Sequence, residues 1–96
     1  MSAALTRSGD GLNVRLAGEL TVQGVSSLGE DLLREIDPET LVVLDTSAVE
    51  RVDTSTLQLL FYVAQRTKEF RVEAASAAWQ RAFADLGLQH ALAEEA

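Results

Sequence analysis

Leu12, Val14 and Leu16 alternate with Asn13, Arg15 and Ala17, the period of two that a strand with one buried face shows. Ala3 to Arg7 precedes it as a first strand, and Gly9-Asp10-Gly11 is a turn signal between the two, so they are expected to pair as an antiparallel hairpin. At Gly18-Glu19-Leu20 the chain is expected to leave that strand. Thr21 is then placed to cap a helix reaching about Ile36, with Val22, Val25, Leu28, Leu32 and Ile36 at helical spacing. Asp37-Pro38 stops it, because the residue before a proline is driven out of the helical region.

Leu41-Val42-Val43-Leu44 is apolar without alternation, which predicts a central strand buried on both faces. A short loop follows, then a helix from about Thr54 to Thr67 whose inward stripe is Leu57, Leu60, Phe61 and Ala64. Phe70, Val72 and Ala74 alternate with Arg71 and Glu73 in a fourth strand. Ser76 is placed to cap a last helix that buries Trp79, Ala82, Phe83 and Leu86 and ends at Gly87 as its C-cap. The residues after about 88 are expected to form a flexible tail. The order is β-β-α-β-α-β-α in a single domain over residues 1–96. Its two strand–helix–strand units require parallel pairing through right-handed crossovers. The expected fold is α/β, a four-stranded mixed β-sheet with packed α-helices.

Composition narrows the function. With 47% hydrophobic and 24% charged residues, the chain is that of a folded domain. A net charge of −7 argues against nucleic acid and anionic lipid, both of which need clustered Lys and Arg. Cysteine is absent, so disulfides, a thiol nucleophile and thiolate metal sites are excluded. The N-terminus lacks the apolar core of a signal peptide, and no apolar run approaches a membrane span, so a cytoplasmic protein without membrane insertion is expected.

The candidate chemistry lies between Asp45 and Thr56. Asp53 is followed by three hydroxyls, Thr54, Ser55 and Thr56, at a helix start. One such residue suffices as a cap, at about 1 kcal/mol. The surplus hydroxyls suit a phosphorylatable, partner-facing surface.

The element order and this segment resemble the STAS domain of bacterial anti-sigma factor antagonists. The family carries a strand ending Asp-Leu-Ser-Gly-Val and, a few residues on, Asp-Ser-Ser-Gly-Leu opening a helix. Leu44-Asp45-Thr46-Ser47-Ala48-Val49 matches the first, and Val52-Asp53-Thr54-Ser55-Thr56-Leu57 the second. Gly18-Glu19-Leu20 stands where the family has Gly-Glu-Leu or Gly-Asp-Leu. Thr56 and Ala48 replace two of the usual glycines. The resemblance implies a non-catalytic binding module without cofactor or metal. It maps the phosphoacceptor onto Ser55, or onto Thr54 as in the STAS subunit of the Mla lipid-transport ATPase and in chemotaxis-linked STAS proteins. It implies a partner-binding surface of Glu19, Asp45, Thr46, Ser47, Arg51, Asp53, Thr54, Ser55 and Thr56. The implied partner is a GHKL-type serine kinase/anti-sigma factor, with ATP belonging to that kinase. The alternatives are an ABC ATPase of the Mla kind, with this chain as a regulatory subunit free of phospho-control, and a chemotaxis-linked adaptor role.

Other candidates are weaker. Asp45 at a strand end invites an aspartyl-phosphate receiver reading, but the acidic pair after the first strand and the lysine after a late strand that it needs have no counterparts, since Lys68 precedes its strand. His90, the lone histidine, lies in the expected tail, so neither a zinc site nor a Ser-His-Asp set can be assembled around it. Trp79 and Phe83, at i and i+4, read as core. Leu59, Tyr62 and Val63 broaden the apolar face of the second helix, as deep burial or as a patch awaiting a partner.

Overall fold

The computed structural model describes residues 2–86 and 93–95. Along the chain run β1 (Ser2–Ser8), β2 (Gly11–Leu20), α1 (Val22–Glu35), β3 (Leu41–Val52), α2 (Thr54–Ala64), β4 (Glu69–Glu73), α3 (Ala77–Leu86) and β5 (Ala93–Glu95). The strands lie in sequence order in one sheet, with β1 antiparallel to β2 and the later neighbours parallel. The β-β-α-β-α-β-α order and mixed sheet are those expected from the pattern. The stretch expected to fray adds a fifth strand, since Ala93–Glu95 pair with Arg71–Glu73 along the free edge of β4. Gly87, expected as a C-cap, and His90 lie outside the described residues. None of the described helices is long and apolar enough to cross a membrane.

Period-two alternation in β2 delivers Leu12, Val14 and Leu16 to one face, level with Val42 and Leu44 of β3 and Phe70 and Val72 of β4. Leu28 and Leu32 of α1, Leu57, Leu60 and Val63 of α2, and Trp79 and Phe83 of α3 close over that face. Each fully buried large apolar side chain contributes about 1.5–3 kcal/mol relative to exposure. The core is thus one layer between helices and sheet. Leu41 and Val43, expected to be buried on both sides, are only half-buried. They fall on the other face, where Val43 has Asn13 and Arg71 as its lateral neighbours. The lack of alternation reflects a strand with β-branched and leucyl residues on both faces, not a second helical layer.

Three local features bring the ends of β2 and β3 to the start of α2. The register between them shifts after Arg15↔Asp45, so that Ala17 next meets Ala48, and shifts again between Gly18 and Glu19. The first bulge leaves Ser47 and Ala48 both exposed and returns Val49 to the core. Gly18, at φ 80°, takes a left-handed conformation that a side chain would disfavour. In consequence β2 and β3 continue as paired strands to Leu20 and Val52, where an exit at Gly18 and a short loop were expected. Elsewhere, α1 and α2 approach closely at Gly29, where a Cβ would stand 3.1 Å from Leu59 Cδ1.

Candidate docking site at the start of α2

Asp53 N donates to Leu20 O at 3.0 Å, which fixes the start of α2 to the end of β2. Asp53 is the N-cap, with extended backbone (φ −99°, ψ 171°). Its Oδ1 accepts from Thr56 N at 3.0 Å, from Ser55 Oγ at 2.9 Å and from Thr56 Oγ1 at 3.0 Å. One carboxylate oxygen therefore gathers the first turn. The Thr56 hydroxyl also lies 3.4 Å from Leu20 O, and its single proton serves one acceptor at a time.

The three hydroxyls divide by exposure. Thr56 is buried (1%) and belongs to the inward stripe with Leu57, Leu60 and Val63. Ser55 is half-buried and tied to Asp53. Thr54 is exposed, and its hydroxyl makes no hydrogen bond among the described residues. The sequence carried a signal for the first of these: Thr56 stands one residue before Leu57 and four before Leu60, inside the apolar stripe.

Midway along β3, Asp45 Oδ1 accepts from Ser47 N at 2.9 Å and from Ser47 Oγ at 2.7 Å, an Asx turn across the bulge. Arg15 Nε lies 3.7 Å from Asp45 Oδ2. The Ser47 amide, the Ser47 hydroxyl and then the Arg15 charge hold the Asp45 carboxyl below the usual carboxylate range against a modest desolvation penalty. Thr46, placed at the docking surface by resemblance, is fully buried instead. Its Oγ1 has no hydrogen-bond partner among the described residues, and its carbonyl accepts from Ser76 N at 3.3 Å, joining β3 to the start of α3.

Glu19 and Arg51 are exposed and face each other in register across β2 and β3. At the start of α2 the surface therefore carries Glu19, Arg51, Asp53, Thr54 and Ser55, whereas Asp45 and Ser47 lie farther back along β3, Asp45 on the open sheet face with Asn13, Arg15 and Val43. Thr46 and Thr56 are withdrawn into the interior. Arg15, not singled out from the sequence, pairs with Asp45 on that open face. Among the described residues no group of three or more His, Asp or Glu side chains could hold a metal.

The family model described as "Mlab, STAS domain" matches residues 3–94. Among solved structures, an anti-sigma factor antagonist from Mycobacterium paratuberculosis superposes with a TM-score of 0.84 at 20% identity, over 97% of this chain and 83% of that one. The anti-sigma factor antagonist SpoIIAA in its unphosphorylated form superposes with a TM-score of 0.77 at 13% identity, over 99% of this chain and 89% of that one. A comparison with curated proteins gives no match. At these identities the structural likeness speaks for the fold.

Proposed function

The chain belongs to the STAS-domain family, and from that premise we propose that it is a docking module of the anti-sigma factor antagonist kind, controlled by phosphorylation at Thr54 or Ser55. Its partner in this reading is a GHKL-type serine kinase/anti-sigma factor. The unmodified protein holds that kinase and frees a sigma factor. The observation that carries the reading is the surplus of hydroxyls at an already capped helix start. Asp53 alone satisfies the cap, yet Thr54 remains exposed and unbonded and Ser55 half-exposed beside it.

A phosphate adds roughly −1.5 to −2 charges at neutral pH. At the N-terminus of α2 the helix dipole tolerates it, at about 0.3–1 kcal/mol in its favour, so the fold survives. A partner packed over the same turn meets a desolvated double charge. A loss of about 3 kcal/mol there is about a hundredfold in affinity.

Ser55→Asp and Thr54→Asp test this directly. At least one is expected to keep the wild-type circular dichroism spectrum and melting profile while weakening partner binding by about ten- to a hundredfold. Wild-type affinity in both would sink the phospho-switch. The Mlab description of the matching family model favours one further reading, a regulatory subunit of an ABC transporter ATPase without phospho-control. Recovery of an ABC ATPase with an unmodified 54–56 segment would select it.

A further inference from the structure

We infer that the cleft between α1 and α2 seats an amphipathic helix of a protein partner, uncharged along its line of contact; the inference rests on the docking reading and extends its surface beyond the start of α2. In a chain with 24% charged residues, the eleven residues of α2 carry none. The helix is not wholly buried: Thr54, Gln58 and Tyr62 are exposed. Leu33 of α1 (42% exposed) and Tyr62 (44%) are the large hydrophobics most exposed among the described residues, and both line the same cleft.

The cleft has a volume of about 530 Å³ and runs from Ser55 at its upper end to Leu33 and Tyr62, over the Gly29–Leu59 contact. Through Leu33 it continues into a hollow of about 460 Å³ beside Ile36 and Arg66. Its long axis follows the helices. Ser55 to Tyr62 alone spans ~10 Å at 1.5 Å per residue, and the hollow lengthens it to the reach of a partner helix of several turns. Charge stands at Glu30 in the cleft and at Asp37 and Arg66 in the hollow. Glu30 makes no ion pair among the described residues, and the Arg66 guanidinium lies 3.6 Å from the Tyr62 ring centroid. A charge-depleted centre with an aromatic anchor and a charged rim is the anatomy of a protein interface. A helix laid in a groove is the occupant whose shape matches it. Glu30 selects a basic residue on the partner helix, while Asp37 and Arg66 together leave the other end mixed in charge. A phosphate on Ser55 would enter the uncharged end of that contact.

The test is a titration of isotope-labelled protein, followed by NMR, with a synthetic amphipathic peptide of about 15 residues, long enough for four turns. The peptide carries leucines on one face and Lys and Glu on its flanks, and the control scrambles the leucines around the helix. The leucine-faced peptide is expected to shift Leu33, Leu59 and Tyr62 resonances first. Leu33→Asp, at an exposed position that leaves the fold intact, is expected to raise Kd about tenfold or more. Shifts confined to residues 45–56 or to the open sheet face around Val43, equal binding of the scrambled control, or an inert Leu33→Asp would overturn the inference while leaving the phospho-switch standing. A filled cleft that is indifferent to Ser55→Asp would support the inference and count against the switch.

Discussion

The starts of α2 and α3 are built alike and are left in opposite conditions. Each has a side-chain cap: Asp53 accepts from Thr56 N at 3.0 Å, and Ser76 Oγ accepts from Trp79 N at 3.1 Å. After Ser76 come Ala77, Ala78 and the buried Trp79, whose ring sits 4.9 Å from that of Phe83. The Ser76 hydroxyl serves the cap and the Trp79 ring the core, although Trp79 Nε1 has no hydrogen-bond partner among the described residues. After Asp53 come three hydroxyls, of which only Thr56 goes inward. Capping and core packing therefore account for the Ser76 hydroxyl and the Trp79 ring at the start of α3, whereas the exposed Thr54 hydroxyl at α2 makes no hydrogen bond among the described residues. In the proposed reading, that exposed remainder is what a partner meets.

Substitutions can break or sharpen this contrast. The largest effect is expected at α3. Trp79→Ala should cost about 3–5 kcal/mol in chemical denaturation, because it empties the largest fully buried side chain. A cost below about 1 kcal/mol would show that the α3 start is not core-bound. Next comes Asp53→Ala, expected at about 2 kcal/mol: it removes the cap and leaves the buried Thr56 hydroxyl with only the longer contact to Leu20 O. Ser76→Ala, which removes a single cap bond, should cost about 1 kcal/mol and leave partner binding unchanged.

A smaller effect is expected at Asp45, whose carboxyl is held low chiefly by Ser47. Since its folded-state pKa lies below the unfolded 3.8, its contribution is present above that value and is lost as pH falls through the folded one. Asp45→Asn should thus lower stability at pH 7 by less than about 1 kcal/mol, because the side chain is partly solvated. The gap to wild type should close as pH falls through the folded-state pKa; a gap that persists in strong acid would mean the carboxylate charge is not what matters. Thr54→Ala should be the smallest, within about 0.5 kcal/mol in stability. A larger loss would return Thr54 to a structural role and erase the contrast with α3.

Much of this was legible in the sequence. Alternation at Leu12, Val14 and Leu16, helical spacing in the three helices, and the Ser76 and Asp53 starts fixed the element order, and Trp79 and Phe83 are core as their i, i+4 spacing indicates. Thr21 stands at the N-cap of α1 as expected, but its side chain makes no cap hydrogen bond; the turn closes instead through Gly24 N to Thr21 O at 3.0 Å. Ala74 was read as the end of the fourth strand, but its φ of 53° breaks β4 at Glu73. Neither departure leaves a mark in hydropathy: the first lies in the hydrogen bonding of one side chain, the second in a backbone angle. The bulges of β3 are invisible for a related reason. They depend on Gly18 and on pairing with residues some thirty positions away, whereas Ser47 and Ala48 look locally like a loop. At the site, the hydroxyl cluster and the place of Thr56 in the apolar stripe were readable, but its contact with Leu20 O, long-range in sequence, was not.

In the proposed function, the part of the α2 start left over from capping docks a partner and releases it on phosphorylation. This reading is tested most directly by isolating this protein from its own cells in two pools, partner-bound and free, and measuring phosphate occupancy at Thr54 and Ser55 in each. The account predicts a GHKL-type kinase in the bound pool, with phosphate on one of these hydroxyls confined to the free pool. Equal occupancy in both pools, or modification only outside 54–56, would contradict it.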